Sequence, residues 1–400
     1  MESLQRPVAA MPGELAGASV LVIGAGGFIG GRLTERLVVE CGARVRALVR
    51  APMSAASVAR FPVDIRIGDI ANPPAVMAAA RGCSHIFNCA KGTGPNAAKR
   101  RTVDVDAVRS VIEAARRASA MVVHVSTMAV YDRPFDGDFD ETTRPAPRGD
   151  PYTDGKLDGE RLAVELGARW AVPVVVVQPG VVYGPGAGVY GVDIIEELTN
   201  GGVVLVDGGR GICNAVYIDD LVSGLLLAAQ RRDVAGERFL LSGPEYPTWR
   251  DFFESFERLL GTCRTVSLSR AEAHALWRRS RRRAWLAPVL WQALREDRAL
   301  RRQLLATREG RLLRRLARWT LPKSLQLRLR QDRDLEVSHG RESPPVPLRP
   351  WVIDYVARRA RARTDKARTL LGYAPAFTLE HGMQVTGQWA RWVGLIPEPE

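Results

Sequence analysis

Between residues 18 and 180, short apolar runs alternate with longer stretches in which apolar residues recur every three or four positions. The runs at 20–23 and 45–49, followed by VDIRIGDI (63–70), HIFNCA (85–90), MVVHVST (121–127) and VPVVVVQPG (172–180), read as strands. The continuously apolar ones are of the kind buried on both faces of a sheet. Helical spacing through Phe28, Leu33 and Leu37, and again across VDAVRSVIEAARRA (105–118), fills the gaps between them. Such alternation predicts an α/β fold with a doubly wound parallel sheet, whose ligands bind at the carboxyl ends of the strands. Ser126 and Thr127 close one of these strands and so are expected to face that crevice.

The first strand runs into glycines at 24, 27 and 30 before the first helix begins. In this strand, turn, helix, strand context the glycines let the backbone approach a pyrophosphate at a helix N-terminus, which predicts dinucleotide binding. At the end of the second strand, where a carboxylate would bind an adenosine ribose, the chain reads Leu48-Val49-Arg50. An arginine there suits a 2′-phosphate, so NADP is expected, with NAD as the alternative. Arg50, and Arg46 before it, also read as solvated strand-end charges.

Composition changes this picture in one place. A 400-residue chain that is 46% hydrophobic can build one large domain or two interlocked ones. It has no apolar run long enough to cross a membrane, and its first residues, MESLQRPVAAMPGELAGAS, lack the pattern of a secretory signal, so a cytoplasmic location is expected. The five cysteines are scattered and show no CxxC spacing, which fits reduced structural thiols and no metal site. The net charge of +13 is gathered between Arg264 and Pro350, leaving a nearly neutral body with one basic insert and no general nucleic-acid surface.

In this arginine-rich chain the only lysines are Lys91, Lys99, Lys156, Lys323 and Lys366. Lys156 stands four residues after Tyr152 in PYTDGK (151–156), and Pro151 can open a helix, so both side chains share one helix face. A free phenol titrates near pH 10. A neighbouring ammonium favours its ionised form, and a compact ammonium serves there better than a broad guanidinium.

With these motifs the chain resembles an extended short-chain dehydrogenase/reductase of the NAD-dependent epimerase/dehydratase family. The matching stretches are GAGGFIG (24–30), GDI (68–70), NCA (88–90), VSTMAVYD (125–132), PYTDGK, QPGVVYGPG (178–186), NAVYIDDLVSGLLLA (214–228), ERFLLSG (237–243) and DKARTLLGYAPAFTLEHGM (365–383). The resemblance implies a Rossmann domain at 18–183 plus the strand 236–243, a smaller substrate domain at 184–235, 244–264 and 351–393, and a helical arginine-rich insert at 265–350. It makes Tyr152 the general acid/base, Lys156 the ribose-binding partner and Thr127 the hydroxyl on the reacting oxygen, supported by Ser126. Gly24, Gly27, Phe28, Ile29 and Gly30 would line the pyrophosphate, Asp69 and Ile70 the adenine, Ala90 the phosphate side and Pro179 the nicotinamide.

Several positions depart from the family pattern. Met128-Ala129 replace the acidic pair of its dehydratases, and neither residue moves a proton. Val181, Cys213 and Gln178 stand where polar ligands of nucleotide sugars are usual, with Arg210 as one replacement for the missing charge. Asp104 stands where asparagine is usual, and Asp219-Asp220 reads as a helix-capping pair. In the insert, SRAE (269–272) fits a capping box, followed by helical patterns through Trp277, Trp285 and Leu294 and across RLLRRLARW (311–319), and SPPVPLRP (343–350) reads as an extended linker. The insert is open to three readings: a lid or homodimer contact, a peripheral membrane contact, or a site for an acidic macromolecule. The expected function is hydride transfer at a carbinol or ketone of a sugar-like small molecule. A hydroxysteroid-type or lipid-linked-substrate dehydrogenase and a non-catalytic cofactor sensor are the alternatives.

Overall fold

A computed structural model describes residues 15–92, 97–284 and 345–397. Strands β1 (Ser19–Ile23), β2 (Arg44–Val49), β3 (Asp64–Ile67), β4 (His85–Asn88) and β5 (Met121–Val125) alternate with helices α1 (Phe28–Val39), α2 (Pro73–Ala80), α3 (Ala97–Arg101) and α4 (Ala107–Ala118). Then come β6 (Asp136–Phe139), α5 (Pro151–Trp170), β7 (Val174–Pro179), β8 (Val181–Tyr183), α6 (Asp193–Asn200), β9 (Val203–Val206), β10 (Ala215–Tyr217), α7 (Ile218–Ala229) and β11 (Arg238–Leu241). The rest comprises α8 (Trp249–Leu260), β12 (Thr265–Leu268), α9 (Arg270–Ala284), α10 (Pro350–Val356), β13 (Arg359–Ala362), α11 (Asp365–Leu371) and α12 (Leu379–Trp392).

Seven strands form one parallel sheet in the order β11-β7-β5-β4-β1-β2-β3. It includes the ERFLLSG strand, as the marker order requires. Successive residues of each strand feed opposite layers, as the period of two dictates. Val20, Val22, Val123, Val175 and Val177 pack with Leu33, Leu37 and Leu221, while Leu21, Ile23, Val122, Val174 and Val176 pack with Val111, Ile112 and Leu166 on the other face. Strand β3 carries Asp64 and Arg66 because it is an edge, with charged side chains free to reach water. The chain runs outward from β1 through β2 to β3, and outward the other way through β4, β5, β7 and β11. The crevice at this reversal, above β1 and β4, is where such sheets bind ligands.

Smaller two-stranded pairings, β10 with β8, β12 with β9 and β13 with β6, join the later chain to the body. Asp219 and Asp220 do not cap α7, which starts after Tyr217 without a side-chain cap. Both lie inside its first turn, so their carboxylates reach sideways. Asp219 pairs with Arg32 of α1, and Asp220 accepts bonds from the amides of Ala376 and Phe377 at 2.9 and 3.0 Å, with burial pushing its carboxyl up to about 6. The capping box at Ser269 and Glu272 is present and opens α9. The helices expected around Trp285–Leu294 and 311–319 lie outside the described residues. Pro350 belongs to the first turn of α10 rather than to the linker before it.

The first two residues of the helix expected over 105–118 belong instead to a π-helical turn at Thr102–Asp106, a wider winding that recurs at functional sites. This turn presses on α5, where a Cβ on Gly159 would fall 2.0 Å from the carbonyl oxygen of Asp104. Gly159→Ala should therefore destabilise the fold by roughly 1–3 kcal/mol in denaturant titration. Gly188→Ala, where a Cβ meets open space, should stay within about 0.5 kcal/mol of the parent.

Candidate active site

At the end of β1 the chain turns through Gly24 at a φ of +81°, and the amide of Gly27 bonds back to the Gly24 carbonyl. Backbone crowding explains the glycines: a Cβ on Gly30 would sit 2.3 Å from the Gly24 oxygen, and one on Gly26 2.0 Å from the Ser54 oxygen. Helix α1 begins with no side-chain cap and no acidic residue in its first turn. Its leading amides therefore present the positive end of the helix to the crevice, which fits a dinucleotide pyrophosphate. Phe28 and Ile29 are half-buried there, Ile70 is buried, and Asp69 is exposed with its carboxylate accepting the Ala71 amide. Arg50 is exposed just past β2. Arg46 is engaged elsewhere, with Asp64 and the carbonyls of Ala79 and Arg81.

The hydroxyl and amine groups converge around α5. Asp150 caps this helix by accepting the amides of Tyr152 and Thr153, and Pro151 occupies its first position, where no N–H is needed. Tyr152 lies in the first turn, half-buried, with its phenol near enough to Thr127 for that hydroxyl to draw the phenol's pKa down. Thr127 follows β5 and accepts the Ala129 amide at 3.3 Å. One turn along α5, the ammonium of Lys156 donates to the carbonyls of Ala90 (3.0 Å), just past β4, and Val125 (3.2 Å), the last residue of β5. It also lies 3.7 Å from Asp104, whose same oxygen accepts the Gly92 amide. Lys91 faces the Tyr152 ring at 4.9 Å, and Tyr190 and Tyr355 lie close enough to feel the phenol's charge.

Thr127, Tyr152, Lys156, Ala90 and Ser126 are thus brought together, while Arg50 and Asp69 stand at solvent-exposed strand ends. Ser126 is buried, and its hydroxyl finds no partner among the described residues. Pro179 ends β7, beside Leu241 of β11. Gln178 belongs to a buried chain, accepting from the Tyr131 phenol and donating to Glu160, which Arg238 neutralises. Met128, Val181 and Cys213 are buried, and Arg210 is exposed at the turn beside Gly208.

Burial pushes the Tyr152 phenol up to about 12; the nearby Thr127 hydroxyl opposes this and the negative Asp104 adds to it. Burial pulls Lys156 down while Asp104 holds it up. In the chain by itself, burial is thus the largest influence on the phenol, and Asp104 acts in the same direction. Lys91 was legible as one of the rare lysines. The position of Asp104 follows from the π-helical turn, which leaves no mark in the periodicity.

A model of the NAD dependent epimerase/dehydratase family matches residues 20–241, more than half of the chain. The chain belongs to that family, and it is an NAD-dependent oxidoreductase or epimerase. It is 29% identical over 282 residues to a 4-hydroxy-2-methyl-3-oxo-4-farnesyl-3,4-dihydroquinoline-1-oxide ketoreductase of Stigmatella aurantiaca, covering 68% of this chain and 80% of that protein. It is 29% identical over 228 residues to a dTDP-4-dehydrorhamnose reductase of Mycobacterium tuberculosis, covering 54% of this chain and 67% of that protein. The fold matches that of UDP-glucuronic acid 4-epimerase from Bacillus cereus in complex with UDP-glucuronic acid and NAD, with a TM-score of 0.65 at 18% identity over 94% of this chain and all of that one.

Behind Lys156, His124 is buried beside Asn88, and burial, with the ammonium adding, pulls its imidazole down to about 3. The unfolded chain takes up this proton near pH 6.5 and the folded chain does not, so the stability is complete above pH 6.5 and is lost as pH falls from there toward 3. Urea titrations should show the parent losing about 2 kcal/mol more than His124→Asn between pH 8 and pH 5.

Proposed function

We propose that Thr127, Tyr152 and Lys156 carry out hydride-coupled proton transfer at a carbonyl or carbinol carbon of the substrate. The observation that carries this reading is the convergence of the three side chains at the carboxyl ends of β4 and β5, beside the uncapped start of α1. When bound, the nicotinamide supplies or accepts the hydride. Thr127 and Tyr152 hold the reacting oxygen between two hydroxyls, and Tyr152 gives it a proton or takes one from it. Lys156, fixed by two backbone carbonyls, offers its remaining N–H to a ribose hydroxyl and its charge to the phenolate. Water elimination is disfavoured because Met128 and Ala129, next to Thr127, are buried and carry no transferable proton. In this reading 18–183 and 236–243 bind the cofactor, and 184–235, 244–264 and 351–393 bind the substrate.

Tyr152→Phe should abolish turnover, by roughly 10²–10⁴-fold, with cofactor affinity nearly unchanged, because ring packing survives and only the proton is lost. Steady-state rates and fluorescence titration with the reduced cofactor check this. A Tyr152→Phe protein that keeps most of its activity overturns the assignment.

The same proposal takes NADPH over NADH, supported by exposed Arg50 and by the absence of a carboxylate from Arg50 to Ala56. Arg50→Ala should then weaken NADPH binding about tenfold and leave NADH unaffected, since an exposed charge-assisted bond contributes about 1–2 kcal/mol. Equal weakening of both overturns it.

A lipid-linked ketone in place of a sugar is the second reading. It is supported by the farnesyl-bearing compound named for the Stigmatella relative and by exposed Arg278 and Arg279 on α9, which suit an anionic membrane surface.

A further inference from the structure

The carboxylate of Asp104 is completely buried, and the fold goes to some length to bury it. The π-helical turn carries it inward, and three glycines form its cradle. A Cβ on Gly92 would fall 2.6 Å from Asp104 Oδ2, one on Gly155 3.4 Å from Asp104 Cβ, and one on Gly159 2.0 Å from the Asp104 carbonyl oxygen. Oδ1 accepts the Gly92 amide at 3.0 Å and faces the Lys156 ammonium at 3.7 Å, while Oδ2 has no hydrogen-bond partner among the described residues. Leaving a buried carboxylate oxygen unbonded is costly, and such an exception calls for a reason. Hydrogen bonding does not supply one, since among the described residues a single amide engages this group. Charge does: the neighbour is an ammonium with 5% exposure.

Resting on the reading of Tyr152 as the acid/base, the geometry points to Asp104 as the counter-ion that keeps both protons on the Tyr152–Lys156 pair, so that the site meets its substrate as a proton donor and the substrate is a ketone or aldehyde. The groups facing this pair are Lys91 and Cys89 from the loop after β4, Thr127 after β5, Asp150 at the start of α5, Tyr190 from the segment before α6, and Tyr355 from α10, with His124 behind it. Lys91 is the one further cation among them, and it is exposed, so it is screened by water more than Asp104 is. In the reaction the carbonyl carbon gains a hydride from the reduced nicotinamide, which leaves oxidised. The carbonyl oxygen takes the Tyr152 proton, and the phenolate recovers a proton from water. Asp104 touches none of the reacting atoms and is a positioning residue.

Asp104→Asn keeps the shape and the Gly92 bond while removing the charge. The test uses the full chain labelled with ¹³Cζ-tyrosine and ¹³Cε-lysine, whose five lysine signals are few enough to assign, with Tyr152→Phe and Lys156→Arg identifying the two resonances. In Asp104→Asn the first proton should leave the pair at least about one pH unit lower than in the parent, whichever site gives it up. An unchanged or raised first titration overturns the inference, because a purely structural carboxylate would leave it in place. Should Asp104→Asn not fold, the double variant Asp104→Asn/Lys156→Gln, neutral at both positions, folds if the carboxylate is there for the ammonium, and its failure to fold overturns the inference. The titration needs no substrate. A shifted titration with an active Tyr152→Phe would leave the counter-ion in place and remove only the catalytic reading.

Discussion

The ammonium of Lys156 is held where three backbone directions meet: the Ala90 carbonyl after β4, the Val125 carbonyl ending β5, and the Asp104 carboxylate from the π-helical turn. Burying a lone charge costs several kcal/mol, so each of these groups must be in place for α5 to dock with its lysine inward. The two carbonyls are within reach together because β4 and β5 end side by side, in the register that pairs Asn88 with His124. Sheet register, helix placement and active-site electrostatics are therefore one constraint. Tyr152 sits above the crevice because α5 can lie only where its lysine is satisfied.

Glycine makes that docking close enough. Gly155 and Gly159, four residues apart, give α5 a bare stripe against which Asp104 and its carbonyl rest. The same economy of volume operates at the dinucleotide turn, where Gly24, Gly26 and Gly30 let α1 and the segments around Ser54 and Ala90 come into contact. In both places the glycine is required by a crossing of two backbones, and the positive φ of Gly24 adds a second requirement at one of them.

Val181 and Cys213 are buried apolar groups, and Gln178 is turned into a network with Tyr131 and Glu160. Around the phenol stand Tyr190, Tyr355 and Lys91, a setting more aromatic than polar.

Local features of the chain were enough to determine the strands at 19–23, 44–49, 121–125 and 174–179, the glycine turn, the opening of α5 at Pro151, and the shared face of Tyr152 and Lys156. Each of these depends on spacing within a few residues, which the sequence displays directly. Tertiary structure alone decided the rest. Asp219 and Asp220 became an inter-helix ion pair and a clamp on the backbone at 376–377, because the first turn of α7 faces those segments. Residues 136–139 found their partner strand at 359–362, across more than two hundred residues. Asp104 reached Lys156 only because the helix before α4 winds wide, and Lys91 reached Tyr152 only because β4 ends and α5 begins at the same crevice. These are contacts between segments distant in sequence, and their strength is set by distance and burial, which no periodicity encodes.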